Sequence, residues 1–223
     1  MSSDNVPENL KQRLKESYDA IAPMYNEWTI PHSQQRLKYL DQLITLLAGQ
    51  PTGPISILEL GCGSGIPVTE KLLSCDGYEV TANDLSTAQI DVARENLETH
   101  KERLTLIEGD MTALTFADAS FDAVIGMYSI IHLPRAEQEE IFAKITKWLK
   151  PQGYLLANFG EKASEGQVSE KWIAEKGWVY WSGFGVDETL SKIKAAGMDI
   201  IVSEVSKDVV DASSFLWVIA QKR

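Results

Sequence analysis

The apolar run Ile57-Leu58-Glu59-Leu60 stops at Gly61-Cys62-Gly63-Ser64-Gly65, and a helical pattern begins at once. A short strand that turns through glycines into a helix commits the chain to strand–helix units. Glycine lets the backbone reverse tightly and approach a ligand with no Cβ in the way. The spacing is not the G-x-G-x-x-G of a dinucleotide turn, because Ile66 stands at the third glycine position and Pro67 follows. No Lys-Ser or Lys-Thr pair closes the run, so it is not a phosphate loop either.

From residue 55 apolar strands alternate with amphipathic helices, as in a parallel sheet covered on both faces. Strands are predicted over Ile55–Leu60, Tyr78–Asn83, Leu104–Glu108, Phe121–Met127 and Tyr154–Phe159. Helices are predicted over 66–74, Thr87–Thr99 and 136–149, the last ended by Lys150-Pro151-Gln152-Gly153. The tail differs. Val186–Ala196 reads as a helix closed by Gly197, and Ile200–Val205 and Ser214–Ala220 stand too close for a helical crossover. Those two strands are therefore expected to pair antiparallel. The whole reads as one α/β domain over 1–223, doubly wound, with a mostly parallel seven-stranded sheet and an antiparallel C-terminal hairpin.

Length and composition fit that reading. A chain of 223 residues with 44% hydrophobic content buries a proper core. No run of about 18 apolar residues is long enough to span a membrane. Met1-Ser2-Ser3-Asp4-Asn5 lacks the basic and apolar parts of a signal peptide. Cys62 and Cys75 are too far apart for a metal pair and read as free thiols of a cytoplasmic protein. A formal charge of -11 argues against nucleic acid and reads mainly as solubility. The partner expected is a small molecule, with no membrane and no nucleic acid, for a monomer or homodimer.

Four segments follow the strand ends in order: Glu59-Leu60-Gly61-Cys62-Gly63-Ser64-Gly65, Asn83-Asp84-Leu85-Ser86, Glu108-Gly109-Asp110-Met111-Thr112, and Gly126 to Pro134. With Leu149-Lys150-Pro151-Gln152-Gly153-Tyr154 they resemble the class I S-adenosylmethionine-dependent methyltransferases. The N-terminal Tyr18-Asp19-Ala20-Ile21-Ala22-Pro23-Met24-Tyr25-Asn26-Glu27-Trp28 resembles the helical lid of that family's small-molecule members. The resemblance covers nearly the whole chain and implies a Rossmann-like fold with a helical lid at about 1–50 and a lid insertion at about 160–185. It implies S-adenosylmethionine as cofactor, held by Tyr18, Tyr25, Glu59, Gly61, Cys62, Gly63, Asp84, Leu85, Asp110, Met111 and Met127. Asp84 offers two acceptor oxygens for the ribose hydroxyls, and its plain alternative is a helix cap shared with Ser86. Asp110 would accept from the adenine amino group, with Met111 on the ring.

Absences narrow the methyl acceptor. The turn after the fourth strand is Gly126-Met127-Tyr128-Ser129, not the Asn/Asp-Pro-Pro-Tyr of enzymes that methylate base or glutamine nitrogens. No carboxylates stand there to hold a guanidinium. Asp122 sits at the strand's start, and hard cations want clustered oxygens, so no metal is expected. Aromatic residues fall in the two lid segments: Trp28 in the first, Trp172, Trp178 and Trp181 in the second. Such rings can line an apolar pocket and face a sulfonium. The pocket expected is Trp28, Tyr128, His132, Trp178 and Trp181, with helical lids closing over it. His132 is the candidate base, its ordinary pKa of about 6.5 suiting proton removal at neutral pH; bracing of the loop before Leu133-Pro134 is its alternative. Tyr25 is the second candidate catalytic residue.

The function expected is methyl transfer to an O, N or S atom of a small, largely apolar or aromatic metabolite of secondary metabolism. A quinone-type C-methyltransferase, a non-methylating cofactor-binding protein and an NAD-dependent oxidoreductase are the alternatives.

Overall fold

The strand β1 (Ile55–Leu60) lies at the centre of a seven-stranded sheet and pairs in parallel with β2 (Tyr78–Asp84) and β4 (Phe121–Gly126). The computed structural model describes residues 5–49, 53–208 and 213–223; the start of the chain at 1–4 and the lid boundary at 50 lie outside them. β3 (Leu104–Glu108) extends the sheet beyond β2, and β5 (Leu149–Gly160) joins β4 in parallel. β9 (Ser214–Lys222) then runs antiparallel between β5 and β8 (Met198–Lys207), giving the order β3-β2-β1-β4-β5-β9-β8. The terminal hairpin forms as its short connection dictates. It replaces the parallel sixth strand of a dinucleotide-binding sheet, so the oxidoreductase alternative loses its fold.

Strand periodicity sends alternate side chains to two faces, and each face has its own core. Ile57, Ala123, Ile125 and Leu156 join one, with α3 (Val68–Leu73) and α4 (Thr87–Asn96). Leu58, Leu60, Val124, Leu155 and Ala157 join the other, with α5 (Arg135–Trp148) and α6 (Val186–Ala195). That is why β1 and β4 are apolar almost throughout.

Two expectations about the lids are corrected. The N-terminal segment is two helices, α1 (Leu10–Thr29) and α2 (Ser33–Leu47), and only α1 is a roof. α2 buries Tyr39, Leu40, Leu43 and Leu47 in the sheet's first core, where Tyr39 stacks on Trp217 at 4.4 Å. The second lid is not helical. β6 (Ala163–Glu170) and β7 (Trp178–Phe184) form a separate antiparallel hairpin. Its second strand, Trp-Val-Tyr-Trp-Ser-Gly-Phe, is a run of aromatic and β-branched residues that fit a pleated, half-buried surface.

Candidate cofactor cleft and acceptor chamber

The carboxyl ends of β1 to β4 open onto one cleft beneath α1. Gly61 and Cys62 donate their N–H groups to the Asn83 carbonyl at 2.7 and 2.9 Å, which draws the β1 turn onto the end of β2. Asp84 completes the join: Oδ2 accepts from Gly63 N–H at 2.8 Å and Oδ1 from Ser86 N–H at 2.9 Å. Each oxygen keeps a further lone pair for a ligand. Burial pushes the Asp84 carboxyl up, and these backbone bonds offset part of that. Ser86 is the helix cap, its hydroxyl accepting from Gln89 N–H at 3.1 Å.

The glycines divide their work. A Cβ on Gly61 would collide with Ser129, whereas one on Gly63 would meet only Gln89 Oε1 at 3.9 Å. The open space above Gly63 is the cleft. Gln89 lines it, is 1% exposed, and has no partner for either amide atom; Ser129 Oγ has none either. An unpaired buried polar group costs about 1–3 kcal/mol, so these atoms fit a polar ligand that pairs them. A side pocket adjoins the cleft, lined by Tyr25, Arg36, Glu59, Gly61 and Cys62. There Arg36 Nε is also buried without a partner. Arg36 and Gln89 escaped the sequence reading. Each shares a helix face with buried apolar residues, Arg36 with Leu40 and Leu43 and Gln89 with Ile90 and Ala93, so spacing marks a core stripe and no ligand contact, although Gln89 does lie in the first turn after the Asp84 loop.

Of the predicted cofactor residues, Tyr18, Tyr25, Gly61, Gly63, Asp84, Leu85, Asp110, Met111 and Met127 line the cleft, and Glu59 and Cys62 line the side pocket. Asp110 also caps its own turn, Oδ1 accepting from Thr112 N–H at 2.9 Å, and meets Lys11 of the roof at 3.3 Å.

A chamber of about 470 Å³ lies beyond the cleft. Tyr18, Tyr25, Tyr128 and His132 line both, so they bound the junction. Trp28, Trp172 and Trp181 wall the chamber, with Trp172 at 5.6–5.8 Å from the rings of Tyr18, Tyr25, Trp28 and Trp181. Trp178 is a correction. It packs with Leu10 and Leu14 behind the hairpin, under the Arg13 guanidinium at 4.0 Å. Trp178 and Trp181 are an odd number of residues apart on one strand and face opposite ways. Trp172, on the turn, takes the place expected of Trp178.

Tyr128 is held at φ +54°, a left-handed conformation rare for a bulky residue. Its N–H donates to Asn158 Oδ1 at 2.6 Å, and its hydroxyl to Asp208 Oδ2 at 3.3 Å. His132 Nδ1–H donates to the Tyr180 carbonyl at 2.8 Å, so Nε2 carries the lone pair and accepts from the Tyr18 hydroxyl at 3.0 Å. Burial pushes His132 down to about 4 despite the bond to Tyr180. The ring is thus neutral at neutral pH and tethered at both nitrogens, Nδ1 to β7 and Nε2 to α1. Burial also raises Tyr18 and Tyr25, which stay protonated. Asp122, at the far end of β4, accepts from Ser56 N–H and Lys150, each at 2.8 Å. Among the described residues no cluster of His, Cys, Asp or Glu is placed to hold a metal ion, and no helix is long and apolar enough to cross a membrane.

Residues 57–153 match the family model described as a methyltransferase domain. A sterol 24-C-methyltransferase of Gibberella zeae is 29% identical over 160 residues, which cover 67% of this chain and 41% of that protein. The chain thus spans less than half of that relative's length. A solved structure of a (4+2)-cyclase superposes with a TM-score of 0.73 at 17% identity, covering 97% of this chain and 98% of the other. The 1,6-didemethyltoxoflavin-N1-methyltransferase of Burkholderia thailandensis, solved with S-adenosylhomocysteine, gives 0.67 at 18% identity, covering 91% and 88%. At those identities the two structures speak for the fold. Residues 57–153 thus match a methyltransferase domain, and they carry the four strand-end segments that resemble the class I S-adenosylmethionine-dependent methyltransferases.

Proposed function

We propose that residues 1–223 act as one unit that transfers a methyl group from S-adenosylmethionine to an O, N or S atom of a small, largely apolar or aromatic metabolite. The supporting observation is the meeting of a polar cleft and an aromatic chamber at Tyr18, Tyr25, Tyr128 and His132. S-adenosylmethionine supplies an electrophilic sulfonium methyl. Asp84 accepts from its ribose hydroxyls, with the Gln89 amide beside them; Leu85, Asp110 and Met111 take the adenine; Arg36 and Glu59 take the carboxylate and ammonium of the methionine end. The four junction residues and Met127 surround the methyl, while Trp28, Trp172 and Trp181 exclude water and orient the acceptor. Orientation of that kind supplies roughly 7–11 kcal/mol of a barrier, so an acceptor nucleophilic in its neutral form needs no strong base.

His132 is assigned as the brace, and Tyr25 as a contact of the methyl rather than a proton carrier. A carbon acceptor is the second reading, favoured by relatives named as sterol and squalene methyltransferases. The free thiols Cys62 and Cys75 are consistent with a cytoplasmic protein.

The test is incubation of the protein and isotopically labelled cofactor with a metabolite extract, reading labelled product and S-adenosylhomocysteine. The expected outcome is label in a small apolar or aromatic compound. Asp84→Ala should lose at least about tenfold in cofactor affinity, since each hydrogen bond to a charged group contributes about 1.5–3 kcal/mol. Unchanged affinity in a folded variant would remove Asp84 from the site.

A further inference from the structure

The acceptor chamber has aromatic walls with a few charged side chains set among them, Arg36, Lys162 and Asp208. Its inner end is the junction with the cofactor cleft, and its middle is walled by Trp28, Trp172 and Trp181. Of the residues lining it, the exposed ones are Lys162 and Gln167, which mark the opening to solvent beside β6. Lys162 has no hydrogen-bond or ion-pair partner among the described residues. The carboxylates of that hairpin are directed elsewhere: Glu165 pairs with Arg135 at 3.2 Å and Glu170 with Arg13 at 3.5 Å. Neither lines the chamber, and nor does Glu161. Deeper in, the charged groups are Arg36, shared with the side pocket, and Asp208, whose two oxygens face His32 at 3.5 Å and the Tyr128 hydroxyl at 3.3 Å. In a chain of net charge -11, the mouth of an aromatic chamber is thus marked by a cation with no partner among the described residues.

We propose that the methyl acceptor is an amphipathic carboxylate, entering with the atom to be methylated first. Its apolar or aromatic body lies between the tryptophans, and its carboxylate stays at the mouth against Lys162. This rests on reading the chamber as the acceptor site.

Calorimetric titration of the S-adenosylhomocysteine-saturated protein tests it with three probes that share one body: 4-phenylbutyrate, 4-phenylbutan-1-ol and 4-phenylbutylammonium. The expected order is carboxylate, alcohol, ammonium. The carboxylate should bind about threefold to fivefold tighter than the alcohol, the reach of one solvent-facing ion pair. The gap should narrow in high salt. Lys162→Gln should bring the carboxylate level with the alcohol, and Gln167→Glu should weaken the carboxylate while sparing the alcohol. Equal binding of carboxylate and alcohol, a preference that survives Lys162→Gln, or no binding of any probe would overturn the proposal. Calorimetry needs no methyl transfer, so these results are separable from a failure of the labelled-cofactor experiment.

Discussion

Burial of Glu59 behind the β1 turn lifts its carboxyl to about 7, although the Thr69 hydroxyl, 2.6 Å away, and the Arg36 charge both pull it down. Near neutral pH the side chain therefore exists in both protonation states. A cationic ligand end in the side pocket favours the ionised one, so cofactor binding should expel a proton. Affinity for S-adenosylmethionine should rise with pH up to about 7 and level off above it. Calorimetry in buffers of different ionisation enthalpy should register the released proton, and Glu59→Gln should abolish both effects. A buffer-independent enthalpy in the parent protein would show that Glu59 is not coupled to the ligand. Glu59, Asp84 and Asp110 were legible because they sit at fixed offsets from strand ends. Arg36 was not, because its relation to the cleft exists only once α2 packs on the sheet.

The roof is an element held by others. α1 is tied to the start of α4 by Asp19 Oδ1, which accepts from the Ser86 hydroxyl at 2.6 Å and Ala88 N–H at 3.0 Å. Lys15 of α1 pairs with Glu108 at 3.0 Å. Ser17 Oγ accepts the Trp178 N–H of β7 at 2.6 Å, and the Tyr18 hydroxyl reaches His132. Helix and hairpin thus form one cover, so ligand should protect both. S-adenosylhomocysteine is expected to slow proteolysis within 8–30 and 160–185 together; equal rates with and without it at both segments would refute closure. Ser17→Ala leaves a buried N–H without an acceptor, a loss of about 1–3 kcal/mol. That variant should be cut faster in both segments, and faster cutting in α1 alone would show that the hairpin stands independently.

For the whole molecule, two buried groups oppose each other as pH changes. His132 stays neutral in the folded chain down to about 4, while an unfolded histidine binds a proton from about 6.5. Between those values the unfolded state binds more protons, so this group makes stability fall as pH falls. Glu59 does the reverse. From its ordinary 4.5 up to about 7 the folded chain holds the extra proton, so stability falls as pH rises through that window. The net slope hides both, and the difference between parent and variant isolates one. His132→Gln keeps a donor for Tyr180 and an acceptor for Tyr18 but does not titrate. Going from pH 7 to pH 5, the parent should lose about 2 kcal/mol more than the variant in denaturant titrations. Equal losses would mean that His132 is protonated in the folded chain.

The sequence alone determined the sheet, its terminal hairpin and the order of cofactor segments along the strand ends, because period-two apolar runs, glycine turns and connection length are local properties of the chain. Tertiary structure decided the rest. The inward-facing tryptophans emerged only when residues 160–185 paired as a hairpin, since strand parity sends Trp181 to the chamber and Trp178 behind it. The same holds for α2, whose apolar stripe suits a lid or a core helix equally until Tyr39 stacks on Trp217. His132 stood open between base and brace in the sequence, because a histidine near a methyl site has the right ordinary pKa and Leu133-Pro134 begins the next helix. Burial and two tethered nitrogens, neither visible in a linear string, are what support the proposed brace.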